Sequence, residues 1–184
     1  FRGFTMSISI MVGQNLGAGN KDRARKIALT ASHILLLFIY CGAAIILSIR
    51  SYIISIFTSD YLVMQEADRF ISIIAWVLPL LMLSFLGMSV GRGSGHTTFP
   101  TIVNIIRFWV IRIGLGYILA FVLNIGVLGL WIALAVAEAF GGTASYLWIR
   151  FGRWVKPIIK PKPIAETMPE TLSRAITKLD NKNV

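Results

Sequence analysis

Four runs of apolar residues, each about as long as a bilayer is thick, constrain this chain more than any other feature. Ala28–Ile49 and Phe70–Gly91 hold about 22 residues each, and Asn104–Leu123 and Val127–Ile149 are similar; about 20 residues of helix, rising 1.5 Å each, cross a hydrocarbon core. Lipid offers no water to an open backbone, so segments of this length must close their own hydrogen bonds as helices. Composition agrees. The chain is 56% hydrophobic and 14% charged, with a mean hydropathy of +0.75, whereas soluble domains are about 25% charged. Too few polar groups exist to cover a globule. The sequence predicts an all-α, polytopic transmembrane helix bundle.

Charges between the runs set the orientation. The stretch Val12–Lys26 switches from apolar to Gly-rich to basic, with Lys21, Arg23, Arg25 and Lys26 against Asp22. Residues 50–69 carry Asp60, Glu66 and Asp68, with Arg50 and Arg69 only at the edges, and read as an external loop. Basic residues return over 92–112, vanish at Asn124-Ile125-Gly126, and return after Ile149. Under the positive-inside rule this alternation predicts a multi-pass plasma-membrane protein with a cytoplasmic C-terminus. It also places Val12–Lys26 and the Gly-rich connection ending at Pro100 on the cytoplasmic side. Gly13, Gly17 and Gly19 are expected to permit a tight turn there, with Gln14 and Asn15 bonding exposed backbone. Pro79 predicts a kink. The chain divides into a bundle over 1–151 and a basic cytoplasmic tail over 152–184, where Pro157, Pro161 and Pro163 stop a helix. Pro169–Leu179 could form a short amphipathic surface helix; a disordered end is the plainer expectation.

Several function classes fall away. A net charge of +10 could serve nucleic acid, but the basic residues flank apolar runs, so an anionic leaflet is the expected partner. Cys41 is single and sits in an apolar run. Phe4–Val12 is too short to span, so the chain reads as a fragment that opens partway through a helix ending near residue 17. No phosphate-binding loop, dinucleotide glycine spacing or metal-ligand cluster occurs, and His33 and His96 lie near different segments. The expectation is no enzyme, with no catalytic residue, metal or cofactor.

One acid lies deep in a run. Glu138 is eleven residues from either end of Val127–Ile149, about 16 Å from each, where acids are expensive and serve a pathway or pair with a base. Counted from Ile125 at the turn, Arg112 is thirteen residues before and Glu138 thirteen after, so a hairpin puts them at matching depth. The sequence therefore nominates Glu138, Arg112 and Arg107 as a candidate ion or substrate pathway. An ion pair that only locks two helices is the alternative. Small residues at Ala133, Ala135, Ala137, Ala139, Gly141 and Gly142, with Gly114 and Gly116 on the partner helix, fit close packing.

The elements GQNLGAGNKDRARK and GRGSGHTTFPTIVNIIRFWVIRIGLGYILA resemble the multidrug and toxic-compound extrusion (MATE) family of antiporters, in its prokaryotic type. The resemblance covers about residues 4–150. It implies a twelve-helix, two-lobe transporter, of which this chain supplies the C-terminal lobe from the end of the eighth helix to the twelfth. It also implies export of varied, often cationic compounds by alternating access, with Na⁺ or H⁺ as coupling ion. The implied partners are the lipid bilayer, a small-molecule substrate and the N-terminal lobe of the same chain. Gly13, Gln14, Gly17, Gly19, Gly93, Gly95 and Pro100 form the matching helix-end elements. Two departures stand out: Phe70–Gly91 lacks the acid many members carry in the tenth helix, and Gly93-Ser94-Gly95-His96 stands where many have Gly-x-Gly-Asp. A lipid-linked oligosaccharide flippase of related architecture, or a non-transporting scaffold or receptor, are the rival readings.

Overall fold

The computed structural model describes residues 2–156, and among these the chain is helical throughout, with no strand. Five helices run in order: α1 Arg2–Gly17, α2 Lys21–Phe57, α3 Tyr61–Ser94, α4 Thr98–Val122 and α5 Val127–Phe151. Helices α2 to α5 are each long and apolar enough to cross a membrane. Apart from Leu123, just past α4, the apolar runs lie inside them, and most helices continue past the runs at charged ends.

That continuation corrects the external loop expected over 50–69. Only Thr58–Asp60 is non-helical there. Asp60 caps α3 by accepting from the Leu62 and Val63 amides, which stabilises a helix start. Arg50 near the end of α2 pairs with Asp68 of α3 at 2.7 Å, and Arg69 pairs with Glu66 one turn away. The charges of this stretch thus tie two helix ends together. The Gly-rich connection is equally short: α3 runs on to Ser94 and α4 begins at Thr98.

Contacts between ends sort the bundle. Arg25, near the start of α2, donates to the Gly152 carbonyl at the end of α5 at 2.6 Å, a cation placed where the α5 dipole is negative. Phe99 at the start of α4 stacks on Trp148 near the end of α5, with ring centroids 5.5 Å apart. Gly13 of α1 lies against Gly93 of α3. One end of the bundle therefore gathers Lys21, Arg23, Arg25, Lys26, Arg92, Arg150, Arg153 and Lys156. The other holds Arg50 and Arg69 with the three acids. Trp154, just past α5, is buried in the core of this basic end and donates to the Ile149 carbonyl. The first residues of the expected tail are therefore packed, while the proposed helix over 169–179 lies outside the described residues.

Helix α3 is the hub, packing on α1, α2, α4 and α5. Between lipid-embedded helices hydrophobicity gives no net drive, because lipid tails are as apolar as leucine; close van der Waals contact at small residues does the work. Ser89 and Gly93 of α3, one turn apart, face Thr5 and Ser9 of α1. The Ser89 hydroxyl donates to the Thr5 carbonyl, and any side chain on Gly93 would strike the Ser9 carbonyl. Toward α5, a methyl on Gly87 would sit 2.8 Å from Ser145 Cβ, and one on Gly142 would run into the Leu80 backbone. Pro79 stands buried inside α3 and removes the amide that the Ala75 carbonyl would otherwise receive.

Gly93→Ala should therefore lower the stability of the folded protein in detergent by about 1–3 kcal/mol, the usual cost of overpacking, seen as a reduced thermal midpoint. Gly17→Ala, where nothing lies within 4 Å of the added methyl, should leave the midpoint unchanged; equal effects at both positions would refute the crossing.

Candidate functional site

The charged centre is built from α4 and α5. Glu138 stands near the middle of α5 and is buried. Its Oε2 accepts from Arg107 Nη1 at 2.5 Å, and Arg107 is equally buried, at 2% exposure. Its Oε1 lies 3.8 Å from Arg112 Nη1, too far for a hydrogen bond, and the Arg112 side chain is 40% exposed. Phe108 lies beside both guanidiniums, its ring centre 4.7 Å from Arg107 Cζ and 5.2 Å from Arg112 Cζ. The aromatic face attracts both cations.

Gly141 makes the room. One turn from Glu138 on α5, it faces the shaft of Arg107: an added methyl would come 2.5 Å from Arg107 Cδ and 2.8 Å from Ser84 Oγ of α3. The buried arginine therefore passes through a gap that only glycine leaves. Its Nε has no hydrogen-bond partner among the described residues.

The expected Arg112–Glu138 pair is present only in part. Arg107 is the hydrogen-bonded partner and Arg112 the outer one. Helical turn explains both facts. From Ile106 to Leu115, and again over Ile118–Val122, α4 has wide π-helical turns with i→i+5 bonding. Counting equal depths on both sides of Ile125 assumes one rise per residue for both helices. Wide turns fit more residues into the same length of axis, so Arg107 reaches Glu138 from further along the sequence. In an α-helix, residues five apart point about 140° away from each other; with i→i+5 turns, five residues return to nearly the same face. The π-helical stretch is what lets Arg107 and Arg112 address one carboxylate.

The helix-end elements meet at the basic end. Gly19 (φ +77°) and Gly95 (φ +78°) hold left-handed turns after α1 and α3, a conformation glycine adopts without penalty. Gly13 and Gly17 are helical, so the tight turn rests on Gly19 alone. Gly13 instead packs on Gly93, a methyl on it coming 3.1 Å from the Gly93 carbonyl oxygen. Asn15 does bond backbone, Nδ2 donating to the Met11 carbonyl at 2.8 Å. Gln14 is exposed, and its backbone carbonyl receives the Ala18 amide. Pro100 is buried in the first turn of α4, where its missing amide costs no helical bond, and its ring packs on Gly91. Elsewhere, His33 of α2 meets the Tyr146 hydroxyl of α5 at 3.1 Å. Trp76 is exposed. No group of three or more His, Cys, Asp and Glu residues that could hold a metal occurs among the described residues.

Among the described residues, five packed helices, four of them of membrane-crossing length, and one buried arginine–glutamate pair define a polytopic membrane protein with an ionic centre. The MatE family model matches residues 1–118. The chain belongs to the MatE family. It is 31% identical over 161 residues to multidrug and toxin extrusion protein 1 of Homo sapiens, covering 84% of this chain and 27% of that protein. It is 27% identical over 154 residues to the probable multidrug resistance protein NorM of Thermotoga maritima, covering 84% and 33%. The solved structure of the eukaryotic MATE transporter AtDTX14 superposes with a TM-score of 0.75 at 25% identity, over 83% of this chain and 34% of that one. This chain thus spans about a quarter to a third of the length of these relatives.

The geometry ranks the two arginines. Arg107→Met should destabilise the protein by about 3–5 kcal/mol, because Glu138 is left buried without its hydrogen-bonded partner, with only the half-exposed Arg112 beside it at 3.8 Å. Arg112→Met should cost less than about 1 kcal/mol, as for a half-exposed pair. Adding Glu138→Leu to Arg107→Met should restore most of the loss. Thermal midpoints of the purified variants check this, and equal losses for the two arginines would contradict the pairing.

Proposed function

We propose that this chain is the C-terminal lobe of a secondary antiporter that exports structurally varied small organic compounds from the cell. The single observation that carries this reading is the family membership, together with relatives named for multidrug and toxin extrusion. On this reading the protein lies in the plasma membrane, with the basic end of the bundle and its C-terminus in the cytoplasm. The other lobe of the same chain faces this one across a midplane cavity, and the two rock between inward and outward openings.

Energy comes from an ion gradient, Na⁺ or H⁺. A coupling ion shifts the conformational equilibrium only by its differential affinity for the two states. A carboxylate in low dielectric supplies such a difference, because its charge demands a partner when water is excluded. Glu138 is the candidate. Its Oε2 is committed to Arg107, while Oε1 has no hydrogen bond among the described residues and Arg112 lies 3.8 Å from it, so Oε1 is the atom for which a coupling proton or cation would compete with Arg112. Arg107 holds the carboxylate in place, and Arg112 completes the pathway's charged centre. A flippase for pyrophosphate-linked lipids has less support, since it needs several facing basic groups and here Glu138 sits between the two available.

The test is dye efflux by the full-length protein in proteoliposomes under imposed Na⁺ or H⁺ gradients. Efflux should follow at least one gradient, and efflux indifferent to both would count against the antiporter. Glu138→Gln keeps an oxygen for Arg107 but loses the charge. It should abolish the gradient dependence, whereas undiminished coupling would remove Glu138 from the mechanism.

A further inference from the structure

Helix α4 holds more residues than the length of α5 beside it accommodates. Wide i→i+5 turns are rare and mostly come as single-turn bulges, yet α4 keeps them over Ile106–Leu115 and again over Ile118–Val122. Its fixed points on α5 show why. Arg107 reaches Glu138. Thirteen residues on, Ala120 and the Leu119 backbone lie against Gly129, where an added methyl would come 2.8 Å from the Leu119 carbonyl carbon. On α5 the matching points, Glu138 and Gly129, are only nine residues apart. At 1.5 Å each the nine span about 13.5 Å, whereas thirteen α-helical residues would span about 19.5 Å. The long Arg107 side chain takes up part of this roughly 6 Å difference, and the wide turns take up the rest.

The hairpin end of α4 is fastened. The amides of Leu123, Ile125 and Gly126 donate to the carbonyls of Ile118, Leu119 and Ala120, and Gly129 leaves no space between the two helices there. Further along, what opposes the narrower and longer α-helix is the shared carboxylate. Arg107 and Arg112 stand 2.5 and 3.8 Å from Glu138, and in an α-helix residues five apart point about 140° away from each other. Ordinary turns would therefore pull one guanidinium off Glu138. Ser84 of α3, the polar side chain beside the Arg107 shaft, is neutral. Gly114, inside the wide stretch, has no atom of another described helix within 4 Å of the place a methyl would take, so packing does not pin the turns at that point.

We propose that α4 is a helix with two registers governed by the charge on Glu138: wide-turned while the carboxylate holds both arginines, and α-helical over 106–115 once that charge is neutralised. With the hairpin end fastened, the longer form carries the start of α4 along its own axis toward the basic end of the bundle. There Phe99 stacks on Trp148 and Pro100 packs on Gly91, so a change of charge at mid-bundle is expressed as a sliding helix end. The device goes beyond the transport reading and does not depend on it.

Two nitroxide labels on the full-length protein in nanodiscs test this. They are attached through Ile105→Cys and Val122→Cys, on either side of the wide turns, with Cys41 and any other native cysteine replaced by Ser. Pulsed electron resonance reads the distance between them. Glu138→Gln should lengthen it by about 3 Å, the rise of two α-helical residues. Arg112→Gln, which leaves the buried Arg107–Glu138 pair in place and so guards against a misfolded Glu138 variant, should lengthen it in the same direction. Distances within about 1.5 Å of the wild type in both variants, less than one residue's rise, would show that packing on Gly129 alone sets the turns and would overturn the inference. The distance is read without substrate or ion gradient, so a failure of efflux leaves this result standing.

Discussion

Close backbone contact at the small residues of α3 is the constraint on which the rest of the structure depends. A helix in lipid gains nothing by exchanging lipid for another apolar side chain, so it is held only where atoms approach closely enough for dispersion and hydrogen bonding to exceed what lipid offers. Along α3 those places are Gly87, Ser89 and Gly93, with Leu80 receiving Gly142 of α5. Through them α1 and α5 are fixed on a common axis. The depth and rotation of α5 follow, and with them the position of Glu138.

The ionic centre is a second consequence of the same packing. Burying a carboxylate and a guanidinium is tolerable only when each meets the other at hydrogen-bond distance. Glu138 and Arg107 do so because Gly141 leaves a channel for the arginine shaft between α4, α5 and Ser84 of α3. The wide turns of α4 then bring Arg112 to the same face. Two differently held guanidiniums thus sit side by side, Arg107 hydrogen-bonded to the carboxylate and Arg112 half exposed at 3.8 Å from it.

The two glycine-rich elements carry a similar lesson. In the chain they are some eighty residues apart, as Gly13 and Gly93 show, and each looks like a turn. In the folded chain Gly13 lies on Gly93, so they form one crossing, with Gly19 and Gly95 making the turns beyond it. The same residue type serves two physical ends, conformational freedom at Gly19 and Gly95 and absence of bulk at Gly13 and Gly93. Composition cannot separate these uses. Arg25 shows the reverse: it reads as one more flanking positive charge, and the structure adds a bond to the end of α5.

By itself the sequence determined that the chain is helical and crosses the membrane, because runs of about 20 apolar residues admit no other closed backbone. It also singled out Glu138, Arg107 and Arg112, since charges inside such runs are too costly to be incidental. Which arginine holds the carboxylate was decided only by the tertiary structure. Partner choice depends on the rotation of each helix and on the width of its turns. Arg107 and Arg112 differ by five residues, which an α-helix would splay apart and the π-helical stretch of α4 brings together. The extent of the helices past their apolar runs was decided likewise, through Asp60, Arg50 and Asp68, whose pairing needs two helix ends side by side.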